Sequence, residues 1–387
     1  MTSSVLLMAS IIDNLYHVLN NGSFYLLSFL IIMSIIVFVH EYGHYIVAKL
    51  CNVKVEVFSI GFGPELFGIN DKSGTRWKFS VIPIGGYVKM LGDEDPASVE
   101  ANPNRLSEED KLLAFCEKPL YQKFLIVFAG PFANLVFAIV VLMMFFTTKG
   151  MMKHNSVIGG VVQDSAAQHA GLASGDTILK INDYQVKWFE EIKQYIEKYA
   201  KDNQELTIEY ARDGHIHVVK VKPSIKEEKG LFGSIKKSPF LGVTMSNVLS
   251  NYEFQRLSIT SAFVQSINYT YLLSKSIFQV LGQMLVGKRS ISELGGPIRI
   301  AQYSGESVKH NEVLLCMAMI SINLGVMNLL PIPMLDGGHI FQYFVQAILR
   351  RKQLNPKYQR YISTIGLMLL LSLMIFVTFN DIKSMFK

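Results

Sequence analysis

Four stretches of this chain stay apolar and nearly uncharged over lengths that suit a lipid bilayer. The first covers about residues 24–49 and opens FYLLSFLIIMSIIVFV; the others cover 124–146, about 313–330, and 362–379. At about 1.5 Å of rise per residue, each crosses or nearly crosses a hydrocarbon layer roughly 30 Å thick. A shorter apolar stretch at residues 5–12 has no basic residue before it and Asp13 directly after it. With no small-residue cleavage pattern behind it, it does not read as a cleaved signal peptide.

Between the first two spans the pattern changes from continuous to alternating. Val53, Val55 and Val57 alternate with Lys54 and Glu56, and Trp77, Phe79 and Val81 alternate with Lys78 and Ser80. The polar turn Asn70-Asp71-Lys72-Ser73-Gly74 sits between them, so residues 53–90 read as a β-hairpin or small sheet. An acidic linker, residues 93–110, follows as a solvated loop. Between the second and third spans lies an insert of about 70 residues with short strands and one helical pattern at residues 188–199. It reads as a single small α/β or mostly-β module, with no second copy. Residues 253–287 are ambiguous: Gln265, Ser266, Asn268 and Thr270 interrupt an apolar pattern, giving either an amphipathic surface segment or a fifth span.

The expected fold class is therefore an α-helical polytopic membrane protein with four transmembrane helices, a β-hairpin region and an inserted α/β domain. Its parts are a membrane core at 1–150, the insert at 154–225, amphipathic linker helices at 226–311, and a second membrane core at 312–387. Composition agrees: half of the residues are hydrophobic, 18% are charged, and mean hydropathy is +0.28. A net charge of +6 with no strong basic block argues against a nucleic-acid partner. Cys51, Cys116 and Cys316 lie far apart without paired spacing, which argues against a disulfide framework or a cysteine-zinc module. Arg350, Arg351, Lys352, Lys357 and Arg360 put the loop after the third span in the cytoplasm. With four spans, both chain ends and the insert then face outward.

The first span holds the pattern His40-Glu41-Tyr42-Gly43-His44. On a helix, residues i and i+4 share a face, so both imidazoles can grip one cation, with Glu41 beside it to accept a proton from water. Three ionisable side chains within an apolar helix are costly, and such groups usually face a functional interior. A catalytic zinc needs a third protein ligand and one open position. Glu65 stands 21 residues after His44, but in a Gly-Pro-rich stretch where no helix presents it. Asp336, in the run NLLPIPMLDGG that begins at Asn328, ends the third span. With four spans it reaches the same leaflet as the histidines, and it is the preferred third ligand. A fifth span at 253–287 would strand it about 30 Å away, so shared metal binding predicts that this stretch does not cross.

The HEYGH helix, the Gly130-Pro131-Phe132-Ala133-Asn134 run and the NLLPIPMLDGG motif together resemble the site-2 protease family, especially its bacterial anti-sigma-factor-cleaving branch. The likeness spans nearly the whole chain in order. It implies one zinc ion held by His40, His44 and Asp336, Glu41 as catalytic base, and Asn328 as a residue that helps hold substrate. It also implies that the insert is a single PDZ domain, where some relatives carry two, and that residues 53–90 form a membrane-associated β element. The expected partners are the lipid bilayer, single-span membrane protein substrates such as an anti-sigma factor or signal-peptide remnant, and substrate C-termini at the PDZ domain. The expected location is the bacterial inner membrane. The alternative is a PDZ-bearing membrane adaptor with a vestigial metal site.

Overall fold

Helix α1 (Thr2–Leu50) begins well before the expected first span and continues through it. Between residues 22 and 50 its ionisable side chains are His40, Glu41, His44 and Lys49, apart from tyrosines. It stops at Asn52, whose left-handed backbone (φ 53°) lets the Asn52 and Val53 amides bond back to Lys49 and Ala48. The computed structural model describes residues 2–93, 107–199, 204–229, 235–246, 248, 251–350 and 356–385. Most of the expected acidic linker, and Arg351 and Lys352 of the basic loop, lie outside them.

Strands β1 (Val55–Asn70) and β2 (Arg76–Met90) form the expected antiparallel β region. Both are bent, so that they pair twice. Phe58 lies opposite Val88 and also opposite Trp77, while Asn70 lies opposite Arg76. The result is a four-segment sheet in the order 65–70, 76–80, 57–60, 86–90. Gly61 sits at the bend with φ 90°, and a Cβ there would come within 2.7 Å of the Ile82 carbonyl.

The turn between the strands is fastened to α1. Asp71 accepts hydrogen bonds from the Ser73 and Thr75 amides at 2.8 and 2.9 Å, and from Tyr45 Oη and Trp77 Nε1, each at 3.1 Å. Desolvation pushes its carboxyl pKa up, but the bonds from Ser73, Trp77, Thr75 and Tyr45 outweigh it and hold the group well below the usual range. Val53, Val55, Phe58 and Met90 are buried, and Phe58 stacks on Trp77 at 4.3 Å.

After α2 (Glu108–Leu113) comes α3 (Leu120–Thr148), the second long apolar helix. The insert contains β3 (Met151–His154), β4 (Ile158–Val161), α4 (Ala166–His169), β5 (Thr177–Ile181), β6 (Tyr184–Gln185) and α5 (Phe189–Tyr199). Beyond them come β7 (Leu206–Arg212), β8 (His215–Val221), β9 (Ser224–Lys229), β10 (Ile235–Phe240), β11 (Val243–Met245) and β12 (Tyr252–Gln255). A sheet ordered β6-β5-β7-β8 packs with α5 around Ile178, Ile181, Ile192, Ile196, Leu206 and Ile208.

The insert is larger than the expected 154–225. The compact unit runs from Phe145 to Ala262, and strands rather than helices occupy 235–240, 243–245 and 252–255. The cause is long-range pairing: β11 pairs with β4 and β12 with β3, and Leu241 enters the core. Strands of three and four residues carry too little alternation to show which partners they find.

Within the insert, the Asp176 carboxylate is 1% exposed and receives Arg212 Nε at 2.6 Å, Arg212 Nη2 at 2.7 Å and the Ala173 amide at 2.8 Å. Burial raises its pKa, yet the Arg212 bonds and the Ala173 amide lower it further, and the net shift is downward. Stability from this pair is therefore complete above the ordinary Asp pKa of about 3.9 and is lost as pH falls through the lower folded value. Arg212→Ala leaves a buried carboxylate without its partner. Amide exchange in β5 and β7 of the full-length protein should then quicken by about tenfold or more at neutral pH. The acid-induced loss of protection should also begin at higher pH than in the parent.

The other unit, Met1–Met144 with Phe263–Lys387, continues with α6 (Ile259–Leu285), α7 (Pro297–Lys309), α8 (Val313–Asn328), α9 (Asp336–Ile348) and α10 (Pro356–Met385). Among the described residues, three helices are long and apolar enough to cross a membrane: 22–50, 120–148 and 364–384. The expected third span appears as α8, apolar but only 16 residues and so about 24 Å long. Leu330 lies outside it because a residue before proline is driven from helical backbone, and Pro331 is next in the chain. Helix α6, over the ambiguous stretch, is 27 residues long and is not among the three.

Candidate metal centre and active site

His40 and His44 stand one turn apart on α1, each 8% exposed, with their Nε2 atoms 3.3 Å apart. Asp336 reaches them from the start of α9. Its Oδ2 lies 3.2 Å from His40 Nε2 and its Oδ1 lies 3.5 Å from His44 Nε2. Asp336 thus begins a new helix and does not end the preceding one. The loop that delivers it is tightly folded: Met334 has φ 77°, and a Cβ on Gly337 would come within 2.2 Å of the Leu330 carbonyl.

The three side chains suit a divalent ion of the zinc type. Bonds of about 2.0–2.1 Å in a tetrahedron put donor atoms roughly 3.3–3.4 Å apart; the two imidazole nitrogens are 3.3 Å apart, and one donor atom from each of the three residues lies within 4.8 Å of the others. Asp336 Oδ2 is buried with no aligned hydrogen bond. His44 Nδ1 lies 2.8 Å from the Ile126 carbonyl, so it donates there and leaves Nε2 with a free lone pair toward the other donors. Two nitrogens and one carboxylate leave a position open, as catalytic sites require.

Glu41 is buried beside the cluster, within electrostatic reach of His44 and Asp336. It borders strand β2, where a Cβ on Gly86 would lie 3.0 Å from Glu41 Cγ. Asn328, the last residue of α8, is half-buried with Nδ2 3.4 Å from His40 Nε2. Glu65 is elsewhere: it pairs with Arg76 across the β sheet, Arg76 Nε donating to Oε2 at 3.3 Å. It takes no part in the cluster of His40, His44 and Asp336.

Two residues of the Gly130–Asn134 run enter the site without having been assigned a place in it from sequence. Gly130 leaves the room that the His44 ring fills, and Asn134 is wholly buried with Nδ2 3.1 Å from His40 Nδ1. Their four-residue spacing puts both on one face of α3, and an asparagine within an apolar span is itself a signal. The Ile126 carbonyl belongs to the backbone and leaves no such trace.

A model of peptidase family M50 matches residues 28–373, which take in both histidines, Glu41, the Gly130–Asn134 run, Asn328 and Asp336. The chain belongs to peptidase family M50. Relatives of similar length carry the name "Putative zinc metalloprotease". One from Rickettsia conorii is 39% identical over 94% of this chain and 99% of its own length. One from Campylobacter jejuni is 36% identical over 93% and 94%, and one from Agrobacterium fabrum is 35% identical over 93% and 96%. Within this M50 chain two of the three donors, His40 and His44, lie on a helix long and apolar enough to cross a membrane.

Proposed function

We propose that this M50 chain is a zinc-dependent intramembrane endopeptidase that cleaves transmembrane segments of single-span membrane proteins. The observation that carries this reading is the convergence of Asp336 on His40 and His44, donor atoms within 4.8 Å of one another, beside a buried glutamate on an apolar helix. His40, His44 and Asp336 would hold the ion. When bound, zinc supplies Lewis-acid polarisation of the scissile carbonyl and a water of near-neutral pKa.

The chain's own residues supply the rest. Glu41 takes a proton from the attacking water and delivers it to the leaving amine, which its burial beside His44 and Asp336 permits. Asn328 points its amide at the same centre and donates a hydrogen bond to the substrate backbone or its developing oxyanion. A substrate helix must first open, and segment 86–90 offers an edge for an extended peptide. Among the described residues no strand pairs with its outer side, and Gly86 adjoins Glu41. The exposed Phe62, Leu66, Phe67 and Ile69 of β1 suit immersion of this sheet in lipid.

The insert is read as a PDZ-like domain on the outer face of a bacterial inner membrane, where it captures or filters substrate ends. The metal centre then faces the cytoplasmic side. Purified protein in liposomes, given a single-span substrate, should cleave it within the lipid-embedded segment. Cleavage should stop on metal chelation and return with about one zinc per chain. An intact substrate in the zinc-loaded sample, or cleavage that persists without metal, would sink the proposal.

A further inference from the structure

Helix α3 faces both metal-binding histidines with hydrogen-bonding groups, and the two are of different kinds. His44 Nδ1 meets the Ile126 backbone carbonyl, which can only accept. His40 Nδ1 meets the Asn134 side chain, which can either donate or accept. The choice decides what His40 can do. If the amide NH2 donates to Nδ1, the imidazole proton sits on Nε2 and no lone pair faces Asp336. If the amide oxygen faces Nδ1, that nitrogen carries the proton and Nε2 is free to bind a cation.

The donor set distinguishes the two: His40 Nε2 lies 3.2 Å from Asp336 Oδ2 and 3.3 Å from His44 Nε2, so it must present a lone pair for one cation to bind there. Asn134 is 0% exposed, and with Nδ2 toward His40 its Oδ1 is buried without a hydrogen-bond partner. A half-turn of the amide exchanges oxygen and nitrogen in nearly the same volume. It moves the unpartnered position from oxygen to nitrogen, and it gives the His40 Nδ1–H an acceptor matching the one His44 has. The residue is also fixed from behind. Ser321 Oγ donates to the Asn134 backbone carbonyl at 2.9 Å, and a Cβ on Gly325 would lie 3.3 Å from Asn134 Cβ, so α8 presses directly on it.

We propose that Asn134 is a positioning residue whose side-chain oxygen accepts the His40 Nδ1 proton and so locks His40 in the tautomer that presents Nε2 to the metal. This role rests on the zinc site of the proposed function and deepens it. A second partner of this kind typically changes metal affinity by roughly 10–100-fold.

The test compares Asn134→Asp, which keeps the shape and only accepts, with Asn134→Leu, which keeps the bulk and cannot bond. Zinc affinity of the full-length protein is measured by competition with a chelator. The histidine tautomers are read from 15N NMR shifts of metal-free protein labelled at histidine. The expected results are near-parental affinity for Asn134→Asp, a roughly 10–100-fold loss for Asn134→Leu, and an Nδ1–H tautomer at His40 that disappears in the leucine variant. A packing role predicts the reverse order, because leucine fills the space and a buried carboxylate does not suit it. Equal losses in both variants would mean that the amide donates, and an Nε2–H tautomer in the parent would overturn the proposal outright. The tautomer needs no zinc, so a parent that binds no metal would refute the zinc site while this measurement still judges Asn134. Should the leucine variant fail to fold, the aspartate variant and the parental tautomer decide the matter.

Discussion

Glu41→Gln should retain about one zinc per chain while cleaving a membrane-embedded substrate some 10²–10⁴-fold more slowly, the usual contribution of a positioned general base. Glutamine has nearly the same shape, so it keeps the buried position between α1 and β2, where Gly86 leaves room for the side chain. It cannot take a proton from water. The metal donors are on other residues, with contacts among His40, His44 and Asp336 that do not involve Glu41. Elemental analysis and turnover on the same purified sample separate the two functions. Loss of metal would mean that Glu41 holds the site together; turnover within a few-fold of the parent would remove it as the base.

That separation depends on which parts of the site are local and which are tertiary. His40, Glu41 and His44 are local: helical spacing alone puts the histidines on one face, and an apolar helix makes three polar groups conspicuous. Asp336 is not local, and it was legible because topology and the need for a third ligand converged on it. Its setting was not. It opens α9 after a loop shaped by Pro331, Pro333 and the Met334 backbone, where an apolar run had suggested the end of a span. Likewise, hydropathy marked α1, α3 and α10 plainly but overstated the length of α8. The pairing of the insert's outer strands could not be read, because β4 and β11 find each other across about 80 residues with only three pairs. Sequence periodicity conveys which face of an element is apolar. It does not convey which atom of a neighbouring helix that face will meet.

Gly130 is such a meeting point between helices, and its substitution should have the other large effect. A Cβ at residue 130 would lie 2.2 Å from His44 Nε2 and 2.5 Å from its Cε1, so the ring must retreat by about 1 Å to reach ordinary contact. It has little room to do so. Its Nδ1 is tied to the Ile126 carbonyl on α3 itself, and its Nε2 faces His40 and Asp336. Gly43 makes a useful contrast, because a Cβ there would strike the Ala129 carbonyl at 2.4 Å and force the two helices apart. At Gly130 the three nearest atoms all belong to the His44 ring, so the damage falls on the donor geometry. Alanine is also the better helix former by about 1 kcal/mol. Gly130→Ala should therefore keep the helix content and thermal stability of the parent, bind zinc at least tenfold more weakly, and lose most of its cleavage activity. Circular dichroism and chelator competition on one preparation test this. Parental zinc affinity in a well-folded Gly130→Ala protein would show that the His44 ring is not held where the metal needs it.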